Sequence, residues 1–335
     1  MGMANREGTE GKGEEARMRL VIGYDGSPCA DAALDDLQRA GLPREGHLLL
    51  TMVTEVWLSP LSGIATEETP DAAERIAKNR QILARATERL ASILPNWEIE
   101  TLIEAGSPAA TILHRAADWG ADMIVVGSHG FTRVERFFIG SVSQRVAGDA
   151  HCSVRIARGR LEEFENLPSR LVIGIDGSID SDMATYVVAN RHWSNGAEVR
   201  LVTSVGPLHA GYPVTTFDEE KALIEKMHAH AARNLRDGAA QQGVSLTVSS
   251  VISFEDPKQA IVHEAESWGA DAIFVGSRGH GRLGRFVLGS VSAAVATRAH
   301  CSVEIVRRTP TANWEESLEL SSSPNDPPAS SGGTI

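Results

Sequence analysis

Short apolar runs separated by amphipathic stretches set the pattern of the N-terminal half of the chain. Arg19-Leu20-Val21-Ile22-Gly23-Tyr24, Leu48-Leu49-Leu50-Thr51-Met52-Val53, Trp97 to Ala105, Met123-Ile124-Val125-Val126 and Ser153-Val154-Arg155-Ile156-Ala157 read as five strands. Between the second and third, Ile76, Leu83, Ala86, Leu90 and Ile93 recur at intervals of three, four and seven, which predicts an amphipathic helix over 71–94. Ser27-Pro28 has the chemistry of an N-cap followed by the first helical position, so a helix is expected from there to about Ala40, stopped by Gly41 and Pro43. Ser107-Pro108 opens another that reaches Trp119-Gly120, and residues 54–70, with Pro60 and Gly63, read as a long loop.

The pattern then begins again. Arg170-Leu171-Val172-Ile173-Gly174-Ile175-Asp176-Gly177-Ser178 repeats the first strand about 150 residues later. Ser-Trp-Gly-Ala-Asp at 267–271 echoes Asp-Trp-Gly-Ala-Asp at 118–122, and Ala-His-Cys-Ser-Val stands at both 150–154 and 299–303. The long helix returns with Ile224, Met227, Ala231 and Leu235 on one face, and Asp256-Pro257 replaces Ser107-Pro108. A repeat this long is a whole domain rather than a solenoid unit. The expected organisation is a disordered N-terminus (1–17), a first domain (18–158), a linker (159–169), a second domain (170–308) and a polar, Pro/Ser-rich disordered tail (309–335). Strands alternating with helices imply in each half a doubly wound parallel sheet covered on both faces. Ligands of such sheets bind outside the carboxyl ends of the strands, where strand order reverses.

The carboxyl ends carry a second repeated feature. Gly127-Ser128-His129-Gly130 is followed by nine residues and then Gly140-Ser141; Gly276-Ser277-Arg278-Gly279 is followed by nine and then Gly289-Ser290. Each copy leaves an apolar strand and enters a helix. Glycines permit close backbone approach to a ligand, and the first N–H groups of a helix point at negative charge, so each copy forms an anion site. Asp25 and Asp176 stand at the tip of the first strand of each half, where they share a crevice with the glycine loop if the two strands are neighbours. Asp-Gly is also ordinary turn chemistry; with the glycine loop downstream, ligand contact is the favoured reading.

Composition narrows the class. The 335 residues carry a net charge of −12 and no Lys/Arg run, which disfavours nucleic acid or an anionic membrane as the main partner. No stretch approaches a membrane span, and the N-terminus lacks the apolar core of a signal peptide. Cys29, Cys152 and Cys301 are odd in number and far apart, as expected of reduced thiols in a cytoplasmic protein. A P-loop, a Gly-x-Gly-x-x-Gly after the first strand and a Gly-x-Ser-x-Gly elbow are all missing from the sequence. His114 and His263, at matching helix positions, are expected at a core or domain edge rather than in catalysis. His228 and His230, two apart on a helix, make a poor metal pair. Arg133, Arg136, Arg282 and Arg285 are equally readable as phosphate-facing charge or as a solvated loop; Trp314, Leu318 and Leu320 are readable as a short docking motif, with chance apolar residues of a disordered tail the favoured reading.

Gly-x2-Gly-x9-Gly-Ser after an apolar strand, with an upstream strand ending in Asp-Gly-Ser, resembles the ATP-binding branch of the universal stress protein family. The likeness covers about 19–158 and 170–308. It implies two tandem five-stranded parallel-sheet domains of the Rossmann-like, adenine-nucleotide alpha-hydrolase-like kind. It further implies one ATP per half, with Mg²⁺ on the phosphates, and a regulatory role in a stress response through an unidentified protein partner. By that resemblance Asp25 and Asp176 lie by adenine and ribose, and Val53 and Val205, at the end of the second strand, contact adenine through their backbones. Gly127, Gly130, Gly140 and Ser141, with Gly276, Gly279, Gly289 and Ser290, hold ribose and phosphates. Many relatives have Arg where His129 stands, while Arg278 keeps it, so the two sites are expected to differ in affinity. The rival readings are a slow ATPase or phosphotransferase, against which no base, Walker lysine or fixed acidic pair is present, and a scaffold without nucleotide.

Single-domain members of that family usually pair, so the two halves are expected to pack as an internal pseudo-dimer. Their fifth strands, Ser153–Ala157 and Ser302–Val306, are the candidate seam, pairing antiparallel because an uncovered sheet edge invites pairing. Each half alone is then expected to self-associate or aggregate, and a homodimer of the tandem chain is a further expectation.

Overall fold

A computed structural model describes residues 17–54, 70–130, 139–159, 167–206, 214–279 and 288–308. The expectations for the first 16 residues, for 309–335 and for Arg133, Arg136, Arg282 and Arg285 fall outside them. In the first half the elements are β1 (Met18–Gly23), α1 (Pro28–Asp36), β2 (Gly46–Thr54), α2 (Pro70–Ile93), β3 (Trp97–Ala105), α3 (Pro108–Trp119), β4 (Met123–Gly127), α4 (Ser141–Asp149) and β5 (Ser153–Ala157). The second half repeats them as β6 (Arg170–Gly174), α5 (Ile179–Ala189), β7 (Ala197–Ser204), α6 (Val214–Gln241), β8 (Leu246–Ser253), α7 (Pro257–Trp268), β9 (Ala272–Gly276), α8 (Ser290–Arg298) and β10 (Ser302–Val306).

Local chemistry accounts for the helix ends. The Ser27 hydroxyl accepts from the Ala30 N–H at 3.2 Å, and Pro28 follows it with the φ a first helical residue needs. The first helix ends earlier than the sequence pattern suggests: α1 closes at Asp36 and a 3₁₀ turn over Leu37–Arg39 carries the chain to Ala40. Ser107, expected as a cap, makes no side-chain cap bond, whereas Asp256 in the second half accepts from the Lys258 N–H.

The strands form one ten-stranded sheet in the order β3-β2-β1-β4-β5-β10-β9-β6-β7-β8. Every pairing within a half is parallel, and β5 meets β10 antiparallel, so the halves are joined as the expected pseudo-dimer about an approximate two-fold axis. Alternate residues of β1 point to opposite faces: Leu20 and Ile22 pack against α1 and α2, Val21 against α3 and α4. The α1/α2 face and the α5/α6 face keep separate cores. On the other face the helices α3, α4, α7 and α8 share a single core that runs across the seam.

The seam has reciprocal polar ties. Arg158, just after β5, donates to the Ala296 carbonyl at the end of α8 at 2.6 Å; Arg307, just after β10, donates to the Ala147 carbonyl at the end of α4. A cation at a helix carboxyl end satisfies carbonyls that lack intrahelical donors. Trp193 of the second half stacks over Gly41 of the first, where φ is +64° and a Cβ would lie 2.8 Å from the indole. Glycine is required there on both counts.

Candidate functional site

The switch point of each half lies where β1 and β4, or β6 and β9, neighbour each other while their next connections run to opposite sides. Just past the tip of β1, the Asp25 Oδ1 accepts from the Ser27 N–H at 2.9 Å; Asp176 does the same with Ser178 at 2.9 Å. One carboxylate oxygen therefore makes the turn. The other faces the glycine loop: a Cβ on Gly130 would stand 2.9 Å from Asp25 Oδ2, and on Gly279 2.6 Å from Asp176 Oδ2. The turn role of these aspartates therefore leaves the second carboxylate oxygen beside the glycine loop.

The three glycines of each loop have different physical reasons. A Cβ on Gly127 would meet the Cys29 carbonyl oxygen at 2.9 Å, and on Gly276 the Asp180 carbonyl carbon at 2.6 Å. These glycines let the first helix of each half sit on the tip of the fourth strand. Gly130 and Gly279 leave room for the aspartate. Gly140 needs neither: its φ is −63° and the nearest atoms to an added Cβ are at 3.5 Å. It is the N-cap of α4, without a side-chain cap bond, as Gly289 is of α8. The first N–H groups of both helices consequently have no intrahelical acceptor and, among the described residues, no capping side chain.

A hydroxyl that the sequence reading missed holds this arrangement. Ser143 Oγ donates to the Gly127 carbonyl at 2.6 Å, and Ser292 Oγ to that of Gly276 at 2.6 Å. The signal was present as Gly-Ser-Val-Ser at both 140–143 and 289–292.

A cavity of about 470 Å³ in the first half brings together Asp25, Val53, Gly127, Gly130, Gly140 and Ser141. Its counterpart of about 320 Å³ joins Asp176, Gly276, Gly279, Gly289 and Ser290. Val205 does not line it. Gly23 pairs with Thr51 and Gly174 with Val202, so the register position of Val53 in the second half is Ser204, which does line the cavity. The assignment to Val205 is corrected by one residue: β7 ends at Ser204, and an apolar side chain alone does not reveal register.

The two cavities differ in their polar groups. In the first, Thr51 Oγ1 and His129 Nε2 are buried without a hydrogen-bond partner among the described residues. The His129 Nδ1 lies 3.0 Å from Ser128 Oγ, and burial, helped by the Arg158 charge, pushes this imidazole below its ordinary range. In the second, Val202 replaces Thr51, and Arg278 is bound to Asp180 at 3.1 Å. Arg308 reaches the same carboxylate at 3.2 Å, and Ser277 Oγ at 2.8 Å. Burial opposes ionisation of Asp180, but those hydrogen bonds and the Arg278 charge hold it below the usual carboxylate range.

Other candidates fall away from the clefts. His114 and His263, expected at a core or domain edge, are exposed and pair with Asp118 at 3.3 Å and Glu255 at 3.1 Å. His228 is buried and bonds Thr203 Oγ1 at 2.8 Å. Among the described residues no three His, Cys, Asp or Glu side chains cluster to hold a metal, and no helix is long and apolar enough to cross a membrane.

Two doubly wound halves, each with a glycine-capped helix start at a cleft by its switch point, define a tandem α/β protein with one such cleft per half. The chain belongs to the universal stress protein family, whose profile matches residues 17–158 and 169–307. A universal stress protein of Mycolicibacterium smegmatis is 27% identical over 297 residues, 86% of this chain and 96% of that one. One from Mycobacterium tuberculosis H37Rv is 25% identical over 299 residues, 87% and 97% respectively. The fold is shared with the crystal structure of a universal stress protein from Archaeoglobus fulgidus (TM-score 0.57, 18% identity, covering 88% of this chain and 97% of that one). It is also shared with that of a putative universal stress protein from Pseudomonas aeruginosa (TM-score 0.54, 14% identity, 92% and 99%).

Proposed function

We propose that each half binds one ATP, and that occupancy regulates association of this cytoplasmic protein with a protein partner during stress. The observation that carries the reading is Gly140 with the start of α4: a glycine that the packing of the described residues does not require, capping a helix whose first N–H groups face a cavity and find no acceptor among those residues. Phosphate oxygens supply the acceptors those groups lack. The adenosine end then lies toward Asp25 and the end of β2, and the triphosphate toward Gly130, Gly140 and Ser141. Thr51 Oγ1 and His129 Nε2 have no partner among the described residues and lie in the same cleft, and a bound nucleotide offers them partners.

Among the described residues each cavity is lined by one carboxylate, Asp25 or Asp176. That donor set fits a Mg²⁺ carried chiefly on the phosphates and water, a mode common for this ion. When bound, the ion neutralises phosphate charge; binding and orientation fall to the helix start, the glycine backbone and the serines.

The test is stoichiometry. Gly140→Val and Gly289→Val place a branched side chain where the phosphates approach. Calorimetric titration with Mg-ATP is expected to fall from two sites to one in either variant and to none in the double variant. Two sites retained in the double variant would remove the assignment. Nucleotide released on denaturing the purified chain identifies the resident ligand.

A further inference from the structure

The two halves repeat almost every element, yet the centre of their seam is not repeated. The antiparallel register pairs Ile156 with Val303, Arg155 with Glu304 and Val154 with Ile305. Residue 155 corresponds to 304, 154 to 303 and 156 to 305, so the pseudo-two-fold axis passes through the Arg155/Glu304 pair. Both side chains are fully buried, at 1% and 0% exposure. On one side Arg155 Nε donates to Asp36 of α1 at 2.6 Å; on the other Glu304 accepts a bidentate pair from Arg191, which follows α5. Arg155 and Glu304 meet at 3.4 Å. Across the seam the buried charges therefore read Asp36, Arg155, Glu304, Arg191, alternating in sign.

We infer that this charge row makes the seam selective: the partner that fits the β5 edge of either half is the other half, and neither half fits a second copy of itself. The row is intrinsic to the unlike pairing. Two first halves joined through β5 would place Arg155 against its own copy on the axis, giving the order minus, plus, plus, minus. Two second halves would place Glu304 against Glu304, giving plus, minus, minus, plus. Each is electrically neutral, but the central attraction becomes a repulsion inside a dry seam, where like charges are poorly screened. Each like pairing also lacks one further tie, the Arg191 bond between two first halves and the Asp36 bond between two second halves. Arg191 Nη1 donates across the seam to the Ala40 carbonyl at 2.8 Å, and the position corresponding to Arg191 in the first half is Ala40 itself. Ser302 Oγ donates across it to Asp36 Oδ1 at 2.6 Å, and the position corresponding to Asp36 in the second half is Val187. The expectation that each half self-associates through its fifth strand is revised on these grounds.

The experiment keeps the full chain. A protease-recognition sequence is inserted within residues 160–166, which join the halves; the chain is folded, then cut, and equal amounts of unlabelled and ¹⁵N-labelled cut protein are mixed. Native mass spectrometry distinguishes the two halves by mass and shows by label exchange that pairing has equilibrated. Unlike pairs are expected to exceed each like pair by more than about tenfold. Like pairs in near-statistical amounts, or separation of the cut halves, would overturn the inference. The double variant Asp36→Asn/Arg155→Met removes charge from the first half without leaving Asp36 unpaired, and is expected to yield first-half pairs. Arg155→Lys, which keeps the charge, is expected not to. Absence of first-half pairs from the double variant would show that shape rather than charge selects the partner, and would equally overturn it. None of these readouts involves nucleotide.

Discussion

The Ser143 hydroxyl donates a 2.6 Å hydrogen bond to the carbonyl of Gly127, tying the first turn of α4 to the tip of β4. The bond sets the direction in which the free N–H groups of α4 point. Ser143→Ala leaves a buried carbonyl short of a donor, at a cost of about 1–3 kcal/mol. Urea denaturation is expected to show that loss, and titration in the Gly289→Val background a weaker first site; an unchanged urea midpoint would show that the bond contributes nothing.

Gly127 and Gly140 are expected to respond oppositely to alanine. A methyl on Gly127 meets backbone atoms at 2.9 and 3.0 Å, so Gly127→Ala overpacks the strand–helix contact, with a loss of about 1–3 kcal/mol. A methyl on Gly140 finds ordinary contact distances, so stability falls by less than about 1 kcal/mol while nucleotide binding weakens. Denaturation and calorimetry on the same two variants separate the roles. Equal stability losses would show that Gly140 is also a packing residue.

Thr51 carries a buried hydroxyl without a partner among the described residues, at the position where the second half has Val202. Thr51→Val is expected to raise the stability of the nucleotide-free chain by up to about 1 kcal/mol, because it deletes an unsatisfied polar group. The same change is expected to reduce affinity at the first site. Thermal denaturation with and without Mg-ATP reports both effects, and a fall in the ligand-free Tm would contradict the premise.

His228 makes stability depend on pH. Thr203 Oγ1 donates to the Ile175 carbonyl at 2.7 Å, so it accepts from His228 Nε2–H. Burial pushes this imidazole below its ordinary value of about 6.5. The unfolded chain therefore binds the proton first as pH falls. The contribution is absent above about pH 7, and folding is progressively penalised below the unfolded value of about 6.5. His228→Gln keeps a donor and does not titrate, so its stability between pH 7.5 and 5.5 is expected to decline less than that of the parent chain. Parallel declines in urea midpoint would place the proton uptake elsewhere.

Turnover is expected to be slow, well below about one per second. In the proposed mode the helix start and glycines hold ground-state phosphates, and uniform binding does not accelerate transfer. Among the described residues each cavity has one lining carboxylate, placed at the nucleoside end by the proposed orientation, and no second acidic group beside it to fix a metal for in-line attack. Single-turnover assays with labelled ATP and Mg²⁺ check this. Rapid phosphate release abolished by Gly140→Val and Gly289→Val would make the protein an enzyme.

Much of the cleft was readable before any coordinates, because it is built on backbone. Glycine spacing, an aspartate at a strand tip and a helix start are local features, and their exact repetition removed the ambiguity that one copy would carry. Eleven of the twelve residues assigned by sequence line the two cavities; Val205 does not, because the facing residue depends on strand register. Ser143 and Ser292 were visible as a repeat but not as a hydrogen bond, since the accepting carbonyl lies 16 residues away in sequence.

By itself the sequence determined the alternation of strand and helix, the doubling of the domain and the position of the glycine loops, because periodicity, capping and turn chemistry act over a few residues. Only the tertiary structure decided which glycines serve packing and which leave space, and which polar atoms are left without partners. It alone brought Asp36, Arg155, Arg191 and Glu304 into one buried row. The four charges of that row lie between 36 and 268 residues apart along the chain (Asp36 to Glu304 being the widest), and chain separation carries no information about sign or distance until strands β5 and β10 set the register.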